Sequence, residues 1–278
     1  MEGLLKMWMP MGLIFEKHHA QLPTPIYIGE GKIRLYYSTK INKKSQINFI
    51  DICEKTLKVL SDPQTALLHG INGSFDHAGV MPSCINSGKM FYSGWYLRHD
   101  VPYGHAIGVA SIMPDGTLVK KNGPILDRNY YEPFLVNSPF VEKKGNLWKM
   151  YYCSGTGWHD GQPTYNIKKA TSKDGKMFLS KNKTIITYEN QKEAISRICK
   201  FENLFYYSYK INSKKYKIAF QNKIGTKQDL IFQTSKWDSE MQCYPYIYKR
   251  KKIKYLFYNG NGYGETGIGA LIWKLDTD

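Results

Sequence analysis

Apolar and polar residues alternate over short runs along the chain, and the runs are separated by turns rich in Gly, Lys or Asn. Two turns contain Asp-Gly, at residues 115–116 and 174–175, each after an apolar run. Alternation with a period of two predicts β-strands, and Asp-Gly predicts tight hairpin turns. No stretch has a convincing helical period, and every apolar run is far shorter than the ~20 residues that cross a bilayer. The pattern predicts an all-β protein without a transmembrane segment.

An aromatic pair followed by a small polar residue recurs five times. The pairs are Tyr36-Tyr37, Phe91-Tyr92, Tyr151-Tyr152, Tyr206-Tyr207 and Phe257-Tyr258. A proline precedes most pairs by about ten to thirteen residues, at Pro25, Pro82, Pro139 and Pro245, with Ile198 in its place in the fourth repeat. Repeats of about 55 residues that each hold four short strands are typical of propeller blades. The sequence therefore predicts a five-bladed β-propeller with four-stranded antiparallel blades.

The repeats fill the chain and define its predicted organisation. We expect a single domain over residues 1–278, with blades at about 17–68, 69–126, 127–188, 189–236 and 237–278. The fifth repeat ends after its third strand, whereas an apolar stretch at 7–16 precedes the first repeat. We therefore expect this N-terminal strand to close the last blade as its outer strand.

The net charge is +16, from 39 Lys and Arg against 23 Asp and Glu, and it is carried almost entirely by lysines. Lysine pairs in predicted turns are typical of solvated surface, and so few arginines argue against nucleic acid as a partner. Attraction of an anionic substrate stays open. The five cysteines form no CxxC pair, which predicts reduced thiols, no metal site and no cofactor. The N-terminus has no secretory pattern, so a cytoplasmic location is expected.

Carboxylates recur just before the first strand of the predicted blades. They are Asp76, Glu132, Glu193, and the pair Asp238 and Glu240, whereas the first repeat has His18 and His19. First strands line the channel of a propeller, so these groups are expected to face one pocket. Clustered carboxylates separate into an acid and a base, which glycoside hydrolysis requires. The alternative is that each carboxylate stabilises a turn at the strand entry.

Further side chains in polar or Gly-rich loops are candidates for substrate binding. Aromatic rings stack on the apolar faces of sugars while polar groups bind hydroxyls. The candidates are His19, His77, Trp95, Trp158, His159, Tyr165, Arg197, Asp238, Glu240, Tyr244, Asn259 and Tyr263. For each aromatic residue, packing in the core is the alternative.

Five segments carry a family resemblance: GSFDHAGVMPSCI, GPILDRNYYEPFLVNSPFV, EAISR, WDSEMQCYP and YNGNGYG. They resemble the five-bladed propeller glycosidases of glycoside hydrolase families 43, 32 and 130. The resemblance is closest to a bacterial branch related to the propeller portion of plant glucosamine inositolphosphorylceramide transferases. It implies Asp76 as the base, Glu132 as a tuning carboxylate and Glu193 as the acid. The first blade departs from family 43, because it has histidines where that family carries its base.

Three functions follow as hypotheses. The first is a carbohydrate-active enzyme of the glycosidase type that hydrolyses or transfers a glycosyl unit in surface-polysaccharide metabolism. The second is a glycosyl or phospho-sugar transferase that uses an activated or lipid-linked donor. The third is a propeller that binds sugar without catalysis. All three predict a carbohydrate or glycoconjugate as the partner.

Overall fold

The computed structural model describes residues 8–159, 161–187, 194–210, 215–222 and 225–273. Within these ranges almost every regular element is a β-strand, which confirms the predicted all-β class. In chain order the strands are β1 (Trp8–Phe15), β2 (Gln21–Gly29), β3 (Lys32–Ile41), β4 (Lys44–Cys53), β5 (Gln64–Leu67), β6 (Gly79–Asn86), β7 (Lys89–Leu97), β8 (Tyr103–Ile112), β9 (Leu118–Lys120) and β10 (Val136–Lys144). They continue with β11 (Leu147–His159), β12 (Gln162–Ser172), β13 (Leu179–Ile186), β14 (Ala194–Phe201), β15 (Leu204–Lys210), β16 (Lys217–Asn222), β17 (Gln228–Asp229), β18 (Cys243–Arg250), β19 (Ile253–Asn259) and β20 (Ile268–Trp273). One helical turn, α1 (Asn261–Gly264), lies between β19 and β20.

The strands form two eight-stranded sheets and one four-stranded sheet. Repeats 1 and 2 (β2–β5 and β6–β9) share one sheet, and repeats 3 and 4 (β10–β13 and β14–β17) share another. Within each repeat the strands are antiparallel, and one parallel residue pair joins the repeats, Ser45 with Gly79 and Tyr165 with Ala194. Repeat 5 combines β18–β20 with β1. The structure therefore has three sheets and not the five separate four-stranded sheets that five blades would give. The reason is that the parallel pairs Ser45–Gly79 and Tyr165–Ala194 each join two neighbouring repeats into one sheet.

The N-terminal strand pairs with the last strand of the chain, as the incomplete fifth repeat predicted. β1 lies antiparallel to β20 at the edge of the four-stranded sheet, with Trp8 opposite Trp273. The first strands of the repeats also pack in cyclic order: β2 against β6, β6 against β10, β10 against β14, β14 against β18, and β18 against β2. The first and the last of the described strands thus lie in the same sheet.

The two residues of each aromatic pair pack into two different, neighbouring hydrophobic clusters. Successive residues of a strand point to opposite faces. Tyr36 accordingly packs with Val80 of repeat 2, and Tyr37 with Phe257 of repeat 5. The other four pairs divide in the same way: Phe91 and Tyr92, Tyr151 and Tyr152, Tyr206 and Tyr207, Phe257 and Tyr258. Both faces of every repeat are therefore buried, which is why the pair recurs.

The small polar residue after each pair contacts the first strand of the next repeat. Three of these side chains accept a hydrogen bond from a backbone N–H: Ser93 from Ser138 at 2.8 Å, Ser208 from Tyr244 at 2.6 Å, and Asn259 from Leu22 at 2.8 Å. Two donate to a backbone carbonyl at 3.4 Å: Ser38 to Val80 and Cys153 to Ile195. The contact from Asn259 runs from the last repeat to the first.

Two further features concern the cysteines and the membrane. All five cysteines are free thiols, and four of them are buried, as expected from the sequence: Cys84, Cys153, Cys199 and Cys243. In the described ranges we find no helix with the length and apolar character that crossing a bilayer requires.

Candidate functional site

A β-bulge occurs at the same place in the first strand of each repeat. In four repeats the bulge contains a residue in the left-handed backbone region: Leu22, Ser138, Arg197 and Tyr244. Gln21, Asn137 and Cys243 each pair with the residue that follows the aromatic pair of their repeat. Pro139 and Pro245 come two residues after Asn137 and Cys243, so the equivalent proline in repeat 1 is Pro23, two residues after Gln21. The alignment through Pro25 was therefore wrong by two residues. A bulge turns the side chains beside it, and here it directs several of them to a central cavity.

The central cavity has a volume of about 290 Å³ and receives residues from all five repeats. This is near the lower end of the ~300–1,000 Å³ typical of small-molecule sites. Its lining consists of Gln21, Leu22, Lys40, Ser45, Met81, Trp95, Tyr103, His105, Asn137, Ser138, Gln162, Pro163, Tyr165, Ser196, Lys210, Tyr216, Tyr244 and Tyr263.

Aromatic side chains form much of the cavity wall. The Trp95 indole N–H donates to Ser45 Oγ at 2.7 Å, which fixes the ring between repeats 1 and 2. Tyr103 stacks on His105 and meets Trp158 edge-on, with ring centroids 5.1 and 4.8 Å apart. Rings held in this way present preformed faces to a ligand.

A buried histidine contributes to the polar part of the wall. His105 is 7% exposed, and burial lowers its pKa to about 3. Asn137 Nδ2 lies 2.7 Å from His105 Nδ1 and donates to it, which places the imidazole proton on Nε2. His105 is therefore neutral at pH 7.

Positive charge lies in the cavity lining and at a buried residue next to it in the chain. Lys40 and Lys210 line it, and the Lys210 ammonium stands 5.2 Å from the centre of the Tyr216 ring. Arg197 is 1% exposed and donates to the carbonyls of Pro23, Pro82 and Ser83 and to Thr24 Oγ1. Burial lowers the pKa of its guanidinium to about 10, so it stays a cation at neutral pH. No Asp or Glu is among the described residues that line the cavity.

Three of the carboxylates predicted to converge are instead each bound to the tyrosine that is the second aromatic residue of the pair in their own repeat. Tyr92 donates to Asp76 at 3.2 Å, Tyr152 to Glu132 at 2.8 Å and Tyr258 to Asp238 at 2.7 Å. All three carboxylates are 1–2% exposed. The tyrosines belong to the aromatic pairs between repeats, so these carboxylates fix the ring of the second aromatic residue.

Asp76 and Glu132 also have lysine partners outside the cavity lining. Lys120 lies 2.7 Å from Asp76, and both line a separate, more open cleft of about 710 Å³. Lys168 lies 3.5 Å from Glu132. Burial raises the pKa of Glu132, but hydrogen bonds from neighbouring side chains, Asn129 first, outweigh it and hold that pKa below its usual value. Glu193, the predicted acid, lies outside the described residues.

The structure separates the predicted substrate-binding residues into three groups. Trp95, Tyr165, Tyr244 and Tyr263 line the cavity. Arg197, Asp238 and Asn259 are buried in hydrogen bonds within the fold. The other five residues are outside the lining. His77 is hydrogen-bonded to the Ser74 carbonyl, Glu240 forms an ion pair with Lys215, and the Trp158 ring contacts Tyr103. His159 is the last residue of β11, and His19 lies in the turn before β2.

Several cavity residues were missed by the sequence analysis. Gln21, Asn137 and Ser196 each pair with the residue directly after an aromatic pair. Counting across the hairpin from that residue would have identified these three positions. Lys40 and Lys210 lie on second strands, and no sequence signal distinguished them from surface lysines.

A cluster of possible metal ligands was also missed. His18, His19 and Glu265 each offer a ligand atom, and these atoms lie within 4.8 Å of one another. The sequence predicted no metal site because the third group is far away along the chain and becomes a neighbour only when repeats 1 and 5 meet.

Comparison with known proteins gives relatives in sequence and in structure. No protein-family model matches the chain. Uncharacterized protein MT1551 of Mycobacterium tuberculosis (strain CDC 1551 / Oshkosh) is 28% identical, over 95% of this chain and 98% of that protein. Uncharacterized protein Rv1502 of Mycobacterium tuberculosis (strain ATCC 25618 / H37Rv) is 27% identical over the same shares.

Solved structures resemble the chain over nearly its full length. A glycoside hydrolase superposes with a TM-score of 0.73 and 16% identity, over 99% of this chain and 94% of that protein. A glycosyl hydrolase from Bacteroides ovatus has a TM-score of 0.65 and 12% identity, over 95% of this chain and 87% of that protein. An α-L-arabinofuranosidase from Lactobacillus brevis has a TM-score of 0.63 and 11% identity, over 94% of this chain and 92% of that protein. At such identities the likeness establishes the fold and not the activity. The chain has the β-propeller fold of glycoside hydrolases.

Proposed function

We propose that the five repeats are the five blades of one propeller domain over residues 1–278. Three cyclic patterns support this: the packing of first strands, the hydrophobic clusters between neighbouring repeats, and the hydrogen bonds from the residue after each aromatic pair. Each pattern returns from repeat 5 to repeat 1. The cavity then lies on the propeller axis, where the first strands of all blades meet.

We further propose that this cavity binds a carbohydrate or glycoconjugate, and that the protein is carbohydrate-active in the manner of glycosidases, hydrolysing or transferring a glycosyl unit. The observation that carries the proposal is the lining itself. Trp95, Tyr103 and Tyr165 offer ring faces, while Gln21 and Asn137 offer amides. Sugars present apolar C–H faces and hydroxyls together, which is the chemistry of this wall. A role in surface-polysaccharide metabolism and a cytoplasmic location stay predictions.

The charges favour a ligand with an anionic group. Lys40 and Lys210 line the cavity, Arg197 is buried next to the lining residue Ser196, and no described lining residue is acidic. In a desolvated pocket, cations attract phosphate or carboxylate more strongly than in water. Phospho-sugars, nucleotide sugars and uronic acids all carry such a group, and the first two are donors for transferases.

The catalytic roles of Asp76, Glu132 and Glu193 stay predictions. The bonds of Asp76 to Tyr92 and of Glu132 to Tyr152 favour supporting roles for these two carboxylates. The absence of Asp and Glu from the described lining favours a second candidate function, a propeller that binds sugar without turnover.

Ligand binding is tested by thermal unfolding of the full chain with nucleotide sugars, sugar phosphates, uronic acids or neutral oligosaccharides. A ligand at 100 times its Kd stabilises by about 2.7 kcal/mol, or roughly 5 °C in Tm for a chain of this size. We expect the shift with anionic sugars and a smaller shift for Lys40→Gln. Lys43→Gln, in the exposed turn between β3 and β4, is the matched control. Equal shifts with neutral and anionic sugars would refute the anionic class, and no shift with any sugar would refute the proposal.

Catalysis is tested separately by mass spectrometry of the products from the same candidate substrates. Wild type is compared with Asp76→Asn, Glu132→Gln and Glu193→Gln. A product from wild type that is lost in a folded variant assigns a catalytic role to that carboxylate. Ligand binding without any product in wild type identifies the non-catalytic propeller.

A further inference from the structure

Three ligand-type side chains meet where the chain closes on itself. His18 and His19 occupy the turn before β2, and Glu265 lies in the loop before β20. The two imidazole centres are 4.0 Å apart, and one ligand atom from each of the three residues lies within 4.8 Å of the others.

The cluster stands at the edge of the central cavity. Gln21 and Leu22, which line the cavity, closely follow His19 along the chain, and Tyr263, which also lines it, is two residues before Glu265. Lys40 is a lining residue as well, and its charge acts on His19. A metal held by these residues would therefore be within reach of a ligand in the cavity.

The second observation is the state of the His19 ring. Its Nδ1 is shielded from solvent and has no hydrogen-bond partner in the described ranges. A shielded ring nitrogen without a partner costs free energy, which metal coordination would recover.

We propose that His18, His19 and Glu265 form a zinc site with three protein ligands and a fourth position available to water or to an oxygen of the cavity ligand. Two histidines and one glutamate are a ligand set that zinc uses in sites with an open position. In a tetrahedral site, ligand atoms at about 2.0–2.2 Å from zinc are about 3.3–3.6 Å apart. The span of 4.8 Å must therefore shrink by about 1.2–1.5 Å on binding, and the exposed side chains of His18 and Glu265 can rotate to do so.

Lys40 gives the proposal a directional test. Its ammonium repels a cation at this site. Replacing it should therefore strengthen zinc binding, whereas the same replacement is expected to weaken the binding of an anionic sugar. The two effects of Lys40→Gln have opposite signs, so one variant separates the metal site from the sugar site.

The experiment is calorimetric titration of zinc into the chelator-treated full chain in the absence of sugar. We expect one zinc ion per chain, with binding weakened at least 10-fold in His18→Ala, His19→Ala and Glu265→Gln, and unchanged in His99→Ala, which changes an exposed histidine elsewhere. Cobalt gives a second readout, because its visible absorption reports a tetrahedral site with nitrogen ligands. Absence of saturable binding, or equal weakening in His99→Ala, would overturn the proposal.

The open fourth position rests on the proposed function, but the zinc titration does not. Zinc binding without any sugar-dependent shift in Tm would leave the metal site intact and refute sugar binding. Sugar binding without zinc binding would do the reverse. If both occur, a zinc-dependent change in sugar affinity is expected, and sugar affinity that is equal with and without zinc would refute the shared ligand position.

Discussion

Asn259 connects the last repeat to the first, and its replacement by alanine tests how the chain is closed. The side chain is fully buried and makes three hydrogen bonds. Oδ1 accepts from the Leu22 N–H at 2.8 Å, and Nδ2 donates to the carbonyls of Ala20 at 2.6 Å and Gly267 at 2.9 Å. In Asn259→Ala these three backbone groups lose their partner at once.

The expected cost follows from the number and quality of the lost bonds. A buried polar group left without a partner costs about 1–3 kcal/mol. Three such groups, with partial relaxation, give about 3–5 kcal/mol for Asn259→Ala. Ser38 holds the equivalent position in repeat 1 but makes one long bond of 3.4 Å to the Val80 carbonyl. Ser38→Ala should therefore cost less than about 1 kcal/mol.

The assay is urea unfolding followed by tryptophan fluorescence and circular dichroism, with the m-value compared among variants. Ser93→Ala, which removes one bond of 2.8 Å to the Ser138 N–H, should fall between the other two at about 1–2 kcal/mol. Asn259→Asp is a further control, because it keeps the acceptor for Leu22 but sets a carboxylate against two carbonyls. It should be at least as destabilising as alanine. Equal costs for Asn259→Ala and Ser38→Ala would refute a closure held by these bonds.

Three further predictions concern buried polar groups. Between pH 7.5 and 5 the unfolded chain protonates His105 but the folded chain, with a pKa of about 3, does not, so stability falls by about 2 kcal/mol from this residue alone. His105→Gln should remove that part of the pH dependence in urea titrations at the two pH values, and an unchanged slope would show that His105 does not cause it. Tyr92→Phe removes one of the two hydroxyl donors of Asp76, the other being Ser74, and should cost about 1–3 kcal/mol in the same assay; a cost of zero would mean that Ser74 and Lys120 together satisfy the carboxylate. Arg197→Met removes the donor of four oxygen acceptors and should lower stability by about 3–5 kcal/mol. Arg197→Lys should recover little of this, because one ammonium cannot reach acceptors on repeats 1 and 2 together; full recovery would contradict the bridging role.

The repeat could be predicted from the sequence because its signal is local. Tyr36 and Tyr37 are adjacent along the chain, yet they pack into different clusters, so both must be large and apolar wherever a repeat has neighbours on two sides. The same requirement acts on every repeat and gives the chain a period. The closing strand β1 could be predicted for a related reason, because the fifth repeat lacked its fourth strand.

The site was harder to predict because side-chain direction depends on contacts outside the local pattern. Asp76, Glu132 and Asp238 stand at similar places before their strands, and that similarity suggested one shared pocket. Their shared feature is instead a hydrogen bond to a tyrosine of the same repeat. A periodic polar residue can thus be part of the repeat and not of the site. The sequence alone does not give the distances between side chains that would distinguish a carboxylate bound within its own repeat from one that faces a shared pocket.

Departures from the repeat are therefore the better guide to function in this chain. Three other repeats place Leu22, Ser138 or Tyr244 where repeat 4 has Arg197, and those three side chains line the cavity. Arg197 shares their left-handed backbone, but it is not part of the lining, and its guanidinium is bound to carbonyls of repeats 1 and 2. Desolvating a cation costs several kcal/mol, and four hydrogen bonds to oxygens of repeats 1 and 2 offset that cost for Arg197. On the proposed function, the charge of Arg197 adds to that of the two lysines in a lining without a described carboxylate, which favours an anionic ligand.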